Sequence, residues 1–442
     1  MNKLKFKLSY MIKRPEIIRA YKLLQKTKSL NVDELNAYQN DKLRKIILHA
    51  YNNVPYYSRL FNSLKIHPRD IQTQADLEKL PILTKEDIKK DPDSFIAKGY
   101  KGKIVKGSTG GSTGKPLRYI MSDEDYSMGA ALLLRGYEFA GYKLGDPLVM
   151  IAGASLVSNK QSLKGKIQDW GVNYKRFSSY GMSEEDCSRY FENINNRKPL
   201  FLRGFVSSIA IFARYMKTNN LKLDQDLKGV FTTSEILLPS QRKLMEDVFN
   251  CQVYDNYGLN DGGVSAFECS KHEGIHTDVE RSILEITNSS GVQMEPKSKG
   301  KVIATSLLNY AMPFIRYDTG DYSEYKKEGC SCGCERPLLS GIDGRASDYL
   351  KLNGVYITSP VLTVLMGKCD IEQYQIIQID VNKILINIIP GSNYSKKDED
   401  FIIKSLSNKV NKVLIEFRYL KNSFEFKGNL NKHKFIINTK FT

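Results

Sequence analysis

A glycine- and hydroxyl-rich segment is the part of the sequence whose residue types most directly suggest a binding site. Gly, Ser and Thr fill every position from 107 to 114, in the order GSTGGSTG, and Lys115 and Pro116 follow. Glycines let successive backbone N–H groups point into one concavity, and hydroxyls add donors, so such a loop suits an anionic group such as phosphate. It is not a Walker A loop, because Pro116 stands where that motif needs Ser or Thr. Taken by itself, the segment is equally open to interpretation as a flexible surface linker.

A second set of residues suggests metal chemistry. Six potential soft ligands lie in two short segments, ECSKHEGIH and GCSCGCERP: Cys269, His272 and His276 in the first, and Cys330, Cys332 and Cys334 in the second. Four-coordinate Zn²⁺ takes this combination of sulfur and imidazole. Free buried cysteines are the alternative. The other cysteines, Cys187, Cys251 and Cys369, are isolated, and we interpret them as ordinary buried residues.

The elements that must position these residues form an α/β pattern. Positions 1 to about 100 read as helical, with Thr84 as a predicted helix N-cap followed by Asp87, and we expect Pro55 to end one helix. From there to about 345, apolar strand-like runs alternate with amphipathic helical stretches, which favours mixed or distorted sheets flanked by helices. We therefore predict a large N-terminal domain, 1–347, with a helical cap, and a small mobile α+β domain, 348–442.

Composition and charge limit the class of protein. The chain has 442 residues, 41% of them hydrophobic, and seven cysteines, which predicts a globular protein of a reducing compartment rather than a disulfide scaffold or a disordered chain. No apolar stretch is long enough to span a bilayer, and we expect a cytoplasmic protein. The first 30 residues hold nine basic residues and one acidic residue. Such a start could touch anionic lipid or nucleic acid, but a solvated lysine-rich helix face is the favoured explanation.

Seven short motifs, taken in order, resemble the adenylate-forming superfamily of acyl-CoA synthetases, and within it the phenylacetate-CoA ligase-like branch that includes capsule polysaccharide biosynthesis members. The resemblance covers nearly the whole chain. VPYYSRLF and LPILTKEDI resemble the branch's N-terminal signatures, and the later motifs are TGGSTGKP at 109–116, TTSEIL at 232–237, DNYGLND at 255–261, RYDTGD at 316–321 and GRASD at 344–348.

The resemblance implies a site for ATP. It assigns the phosphate loop to Ser108, Thr109, Gly110, Gly111, Ser112, Thr113, Gly114 and Lys115, and the adenine side to Ser234, Glu235, Tyr257 and Gly258. Asp321 would accept the two ribose hydroxyls, with Arg345 as a nearby donor. Asp261 would bind Mg²⁺ where the family usually has Glu, which shortens the reach by one methylene.

A lysine near the C-terminus would supply positive charge where negative charge develops during adenylation. Lys432, in NLNKHKFIIN, is the candidate, although Asn431 replaces the usual flanking glycine and Lys434 lies two residues away. Asp348 matches the hinge about which the small domain swings between two catalytic poses. For the metal, some members of the branch carry a Cys, His, Cys, Cys site, and that match selects Cys269, His276, Cys330 and Cys332 as structural zinc ligands, with His272 and Cys334 as possible substitutes.

The resemblance predicts activation of a small carboxylic acid by ATP as an acyl-adenylate, with release of pyrophosphate, followed by transfer to an acceptor. Coenzyme A is the expected acceptor, and a carrier protein, an amine or a sugar remain open. Segments 153–157 and 203–206 are candidates for the acid pocket. The rival is a degenerate family member that binds nucleotide or a polysaccharide-assembly partner without turnover. A nucleic-acid-binding protein is disfavoured, because the chain lacks zinc-finger spacing and an RNA-binding aromatic signature. At most we expect peripheral membrane contact through the basic N-terminus.

Overall fold

A computed structural model describes residues 2–109, 117–152, 163–179, 182–342, 349–366, 368–391, 393–420 and 436–438. The first hundred positions are mainly helical, with α1 (Asn2–Lys13), α2 (Pro15–Thr27), α3 (Val32–Asn53), α4 (Pro55–Leu64) and α5 (Lys85–Lys90). Four short 3-10 turns lie between or after helices, at Pro68–Asp70, Gln74–Lys79, Pro92–Phe95 and Glu138–Ala140. Among the described residues, no helix is both long and apolar enough to cross a membrane.

Local chemistry sets the helix boundaries in this region. Asn31 begins α3 with a capping box that includes Glu34. Thr84 begins α5, its side chain accepting from the backbone N–H of Asp87, so the predicted cap is confirmed. The predicted helix end before Pro55 is confirmed, because α3 ends at Asn53. Pro55 is also the first residue of the next helix, α4. Proline suits that position because its missing N–H would have no helical partner there.

A mixed eight-stranded sheet forms the centre of the molecule. Its strands lie in the spatial order β13-β9-β8-β7-β6-β5-β3-β4. The parallel part contains β3 (Leu148–Ala152), β4 (Tyr174–Ser178), β5 (Phe201–Phe205), β6 (Gly229–Thr233) and β7 (Val253–Leu259), and the antiparallel edge contains β8 (Val264–Glu268), β9 (Ile275–Thr277) and β13 (Leu338–Leu339). The connecting helices are α6 (Asp123–Tyr137), α7 (Leu163–Val172), α8 (Glu184–Arg197), α9 (Val206–Thr218) and α10 (Pro239–Phe249).

Alternation along the parallel strands explains why both faces of this sheet are covered. Successive side chains point to opposite faces. One face presents Leu148, Met150, Phe201, Phe231 and Tyr254, which pack with residues of α6. The other face presents Val149, Ile151, Leu202, Val230 and Val253, which pack with residues of α8, α9 and α10. Apolar residues at consecutive strand positions are typical of such doubly covered sheets.

Two smaller sheets complete the large unit. The hairpin of β1 (Ile104–Ser108) and β2 (Arg118–Ser122) flanks the glycine-rich segment. A three-stranded antiparallel sheet contains β10 (Ser282–Thr287), β11 (Gly300–Ser306) and β12 (Tyr317–Ser323). Just before β12, the Arg316 guanidinium is buried and forms an ion pair with Glu285 on β10. The RYDTGD motif is thereby fixed to the sheet.

The C-terminal part is an α+β unit. A hairpin of β14 (Tyr349–Leu352) and β15 (Val355–Thr358) is followed by α11 (Ser359–Met366), and a second sheet has the order β18-β17-β16-β19. That sheet contains β16 (Ile371–Asp380), β17 (Lys383–Pro390), β18 (Leu414–Tyr419) and β19 (Ile436–Asn438), with α12 (Lys396–Ser407) between β17 and β18. The predicted boundary between 347 and 348 lies outside the described residues, and the two-domain division stays a prediction.

Candidate active site

The glycine-rich loop starts and ends at a closed hairpin. Ser108 pairs with Arg118, and the next pair inward is tied twice, because the Thr109 N–H donates to the Leu117 carbonyl at 2.8 Å and the Leu117 N–H donates to Thr109 Oγ1 at 2.9 Å. The loop is therefore anchored at its base. Its predicted phosphate-binding members Gly110, Gly111, Ser112, Thr113, Gly114 and Lys115 lie outside the described residues.

The hairpin lies against the two motifs that follow it by more than a hundred residues. Tyr119 on β2 and Tyr317 at the start of β12 belong to the same buried core. The Tyr317 hydroxyl donates to Asp261 Oδ2 at 2.7 Å. Burial raises the pKa of both tyrosines, and the negative charge of Asp261 raises them further. Asp261 therefore lies next to the β1–β2 hairpin as well as next to β12.

Asp321 lies in the same region. It is on β12, four residues after Tyr317, and its Oδ2 accepts a hydrogen bond of 2.8 Å from the hydroxyl of Tyr257 on β7. Tyr257, predicted to face adenine, thus touches the residue predicted to bind the ribose. The carboxylates of Asp261 and Asp321 are close enough that the first raises the pKa of the second. The base of the glycine-rich loop and the predicted ribose site consequently border one shared region.

The electrostatics of this region favour a cation. Burial raises the pKa of Asp261, whose side chain is almost inaccessible at 4% exposure, and burial likewise raises the pKa of Asp321. Desolvation penalises the charged form of a carboxylate, and a nearby positive charge offsets that penalty. The positive charge of Lys85 lowers both pKa values. The hydrogen bond from Tyr317 also lowers the pKa of Asp261, and the hydrogen bond from Tyr257 lowers that of Asp321.

Lys85 and Tyr317 belong to this site but were not among the site residues predicted from the sequence. Lys85 is placed by the segment before it: the Leu83 N–H donates to the Arg316 carbonyl, and the Asp318 N–H donates to the Leu83 carbonyl. These bonds attach the LPIL segment to the start of β12. Both residues lie within motifs that carry the family resemblance, LPILTKEDI and RYDTGD. The position of Lys85 directly after the predicted N-cap was the signal that could have identified it as a site residue.

The remaining predicted adenine-side residues lie at the ends of neighbouring parallel strands. Ser234 follows β6 with a left-handed φ of 69°. The Glu235 carboxylate accepts from the backbone N–H of Ser207 at 2.6 Å and from its hydroxyl at 2.8 Å, which ties it to the start of α9. Gly258 is an exposed residue of β7. Carboxyl ends of parallel strands commonly border ligand sites in open α/β sheets.

Besides the loop residues, three further predicted functional residues lie outside the described part of the chain: Arg345, Asp348 and Lys432. The candidate pocket segment 153–157 does so as well. The other candidate segment, 203–206, is described. Its Arg203 guanidinium lies over the ring of Tyr137, 5.7 Å from the centroid, and its Phe205 packs with the core of the C-terminal unit.

The predicted zinc ligands are assembled in one cluster. Cys269 follows β8, His276 is on β9, and Cys330 and Cys332 lie in the loop before β13. One potential ligand atom from each lies within 4.8 Å of the others. Strand pairing brings them together, because His276 faces Phe267 on β8 and Leu338 on β13. Glu273 anchors the loop by accepting from the backbone N–H and hydroxyl of Ser331.

The distances within the cluster fit a tetrahedral metal site. Cys269 Sγ and Cys330 Sγ are 3.5 Å apart, and Cys332 Sγ is 3.4 Å from His276 Nε2. Two sulfurs bound tetrahedrally to one zinc at about 2.3 Å would be about 3.8 Å apart. His272 is turned elsewhere, with its Nδ1 3.2 Å from a Glu268 carboxylate oxygen. Burial raises the pKa of Cys334, but the contact with His276, a backbone hydrogen bond from Arg336 and the charge of Arg336 together outweigh burial and lower the value to about 7.

Comparison with known proteins supports the resemblance to acyl-CoA synthetases. The chain is 27% identical over 422 residues to protein CapK of Staphylococcus aureus, covering 92% of this chain and 90% of CapK. It is 25% identical to a phenylacetate-coenzyme A ligase of Thermus thermophilus, covering 78% of each chain, and 26% identical to one of Escherichia coli K12, covering 76% of each. The chain is therefore similar over most of its length to phenylacetate-CoA ligases and to CapK. The predicted resemblance is confirmed.

Solved structures of adenylate-forming ligases share the fold. 2-Hydroxyisobutyryl-CoA ligase in the postadenylation state, in complex with R3-HIB-AMP, matches with a TM-score of 0.62 at 17% identity, covering 94% of this chain and 92% of the ligase. The same ligase in an open conformation, in complex with 2-HIB-AMP and CoA, matches with a TM-score of 0.61 at 17% identity, covering 93% of each chain. The predicted α/β fold class is confirmed. No protein-family profile matches the chain.

Proposed function

We propose that this protein activates a small carboxylic acid with ATP and transfers the acyl group to coenzyme A. In the first step a carboxylate oxygen of the acid attacks the α-phosphorus of ATP, the bond from that phosphorus to the bridging oxygen breaks, and pyrophosphate leaves. In the second step the thiol sulfur of coenzyme A attacks the acyl carbonyl carbon, its proton is lost, and AMP leaves. The observation that carries the proposal is that the hairpin below the glycine-rich loop shares a core with Tyr317, whose hydroxyl donates to Asp261 and whose strand also bears Asp321.

Each part of this region has a proposed role toward the nucleotide. The loop at 109–115 would donate to the β and γ phosphates, and Asp321 would accept from the ribose hydroxyls in place of the Tyr257 hydroxyl. Lys85 would add positive charge beside the carboxylates of Asp261 and Asp321. Positioning and fixed charges of this kind are what such a transfer requires, since charge develops on the departing pyrophosphate. Ser234, Glu235 and Gly258 would border the adenine.

Magnesium and zinc belong to the proposal as separate sites. Oxygen donors suit Mg²⁺, and the buried Asp261 carboxylate, oriented by Tyr317, is the proposed ligand. Mg²⁺ would neutralise phosphate charge. Zinc would be held by Cys269, His276, Cys330 and Cys332, and four protein ligands make that site structural rather than catalytic.

The acceptor is proposed from the relatives. Three relatives that match most of the chain are phenylacetate-coenzyme A ligases, each from a different bacterium. Their names favour a coenzyme A thioester as the product. The similarity to CapK favours a role in capsule polysaccharide biosynthesis, in which the acyl group would be consumed by a later transfer reaction. A carrier protein or a sugar would then be the final recipient of the acyl group.

The decisive experiment is ATP–pyrophosphate exchange across a panel of aryl, aliphatic and amino acids. We expect one chemical class of acid to stimulate exchange, and the same acid to give a coenzyme A thioester detectable by mass spectrometry. Exchange without thioester would leave adenylation in place and assign a different acceptor. Silence with every acid, with ATP binding intact, would instead support the degenerate, non-catalytic alternative.

A further inference from the structure

Two neighbouring helices expose an apolar surface that the proposed reaction does not use. We call it the α1–α7 patch, and it consists of Leu4, Leu8, Met11 and Ile12 on α1 together with Ile167 and Trp170 on α7. The exposed fractions of these side chains range from 48% for Leu8 to 87% for Ile12. Scattered exposed apolar residues are normal, but six on two helices that contact each other are an unusual concentration.

The patch is held in place by close packing beneath it. The Phe6 side chain, on the opposite face of α1, is fully buried. Ser9 packs against Gly171 on α7, where an added Cβ would lie 2.5 Å from the Ser9 hydroxyl oxygen. The two helices therefore touch at a position that only glycine permits. The exposed side of α1 is consequently a surface of the folded protein.

Helical geometry places lysines along both borders of the apolar stripe. At about 100° per residue, Leu4, Leu8, Met11 and Ile12 fall within a sector of about 100°. Lys3 and Lys7 then fall on one side of this sector and Lys5 on the other. The Lys5 ammonium lies 3.1 Å from the centroid of the Trp170 ring, so positive charge also borders the α7 part of the patch.

The charge around the patch is one-sided. The first 14 residues contain no acidic residue, and the first 30 carry a net charge of +8. The carboxylate on α7 nearest in sequence to the patch, Asp169, is already paired with Arg176 at 3.1 Å. An apolar stripe bordered by lysines is the pattern of a helix that lies in the plane of an anionic bilayer surface, with a tryptophan at the level of the headgroups.

We propose that the α1–α7 patch docks the protein on the surface of an anionic lipid bilayer. The bilayer accepts apolar side chains at its acyl boundary and basic side chains at its phosphates, which matches both properties of the patch. A second copy of the chain would instead bring lysines against lysines, and a nucleic acid would leave the apolar stripe exposed to water. With 12 residues, α1 can lie on the membrane but cannot span it. This inference does not depend on the proposed ligase activity.

The test uses the fluorescence of Trp170, which is the only tryptophan of the chain. The full-length protein is titrated with vesicles of phosphatidylcholine alone and with vesicles containing about 30% phosphatidylglycerol. We expect a blue shift of the emission, and quenching by brominated acyl chains, with the anionic vesicles only. Raising the salt to about 0.5 M should weaken binding, because it screens the lysine charges.

Variants separate the apolar and the electrostatic contributions. The double change Leu8→Ser and Ile12→Ser should lower the partition coefficient at least about tenfold, because two apolar side chains no longer enter the bilayer. Lys3→Gln and Lys7→Gln should each lower it about fivefold. Leu414→Ser is the matched control, since Leu414 is similarly exposed but lies on β18 in the C-terminal unit, and it should leave binding unchanged.

Three outcomes would overturn the proposal. One is an unchanged Trp170 emission with anionic vesicles at millimolar lipid. A second is binding that Leu414→Ser weakens as much as the α1 variants do. The third is a dimer in sedimentation experiments that Ile12→Ser abolishes, without vesicle binding, which would assign the patch to a second copy of the chain.

Discussion

At the scale of single residues, the central feature of this protein is a pair of desolvated carboxylates in one region. Asp261 and Asp321 are each stabilised by a tyrosine hydroxyl, and Lys85 supplies the positive charge that acts on both. Hydrogen bonds to charged groups are stronger than those between neutral groups. We therefore expect a change at any member of the set to alter ligand binding.

Asp321→Asn should weaken ATP binding by about tenfold or more, because the side chain loses the charge that would accept the ribose hydroxyls. Calorimetric titration with ATP measures the change. Asp318→Asn is the matched control, since Asp318 lies on the same strand but pairs with Lys301 at 2.9 Å. An equal loss of affinity in both variants would remove Asp321 from the ribose site.

Lys85→Gln should raise the KM for ATP about tenfold, because the positive charge that acts on both carboxylates is lost. Steady-state pyrophosphate release measures this effect. Lys90 belongs to the same short helix and is highly exposed, which makes Lys90→Gln the control. A KM that changes no more in Lys85→Gln than in Lys90→Gln would contradict the proposed role.

Asp255 should make the protein less stable as the pH rises. Burial raises its pKa from 3.8 to about 6, an effect that hydrogen bonding from Thr232 only partly offsets. Between these two values the unfolded state loses the proton first, so the free energy of unfolding falls by about 3 kcal/mol as the pH rises through that window. Urea denaturation of wild type and Asp255→Asn at pH 4 and pH 7 isolates this contribution. The two proteins should differ in their pH dependence, and parallel curves would contradict it.

At the scale of elements, strand pairing decides which ligands meet. The cysteine and histidine cluster joins β8 and β9 to the loop before β13, at the edge strands of the central sheet. A metal there would fasten the loop to the sheet in addition to the hydrogen bonds from Ser331 to Glu273. The ion pair of Arg316 and Glu285 has a comparable structural role, because it fixes the start of β12, and with it Tyr317 and Asp321.

Protein purified without chelator should contain about one zinc per chain, and Cys330→Ser should lose the metal and lower the Tm by several degrees. Elemental analysis and thermal unfolding measure the two effects. Cys251 is isolated from the cluster, so Cys251→Ser should retain the zinc. Metal-free wild-type protein with an unchanged Tm would favour free cysteines instead.

At the scale of the whole molecule, the proposed chemistry needs both units. The large unit contributes the described part of the nucleotide region, whereas the proposed catalytic lysine belongs to the C-terminal part of the chain. The two parts contact each other within the described residues: Met182 pairs with Tyr356 through two backbone hydrogen bonds, and Phe205 packs into the C-terminal core. A swing of the small domain would have to break these contacts.

Lys432→Ala should suppress adenylation by about a hundredfold or more, while thioester formation from supplied acyl-AMP stays largely intact, because the lysine charge is needed only in the first step. Separate assays of pyrophosphate exchange and of thioester formation distinguish the steps. Lys434→Ala is the matched control. Equal loss of both steps in Lys432→Ala, or a larger loss of exchange in Lys434→Ala, would mean that a different lysine acts.

The sequence by itself determined the features that depend on neighbouring residues. Strand-like runs alternating with helical stretches predicted the α/β class, Thr84 with Asp87 predicted a helix start, and the ordered motifs predicted the resemblance to acyl-CoA synthetases. Pro55 predicted where α3 ends but not that a second helix begins there, because a proline that stops one helix can also begin the next.

Only the tertiary structure decided which distant groups share a site. Lys85 and Asp321 are 236 positions apart, and no periodicity relates them; the backbone bonds between the LPIL segment and β12 bring them together. In the same way, only packing decided that one face of α1 is buried through Phe6 while its opposite face stays exposed beside Trp170. Local patterns indicate which secondary structure each segment prefers. Burial and electrostatic interactions act between segments, so the partners of each residue are fixed only when the chain has folded.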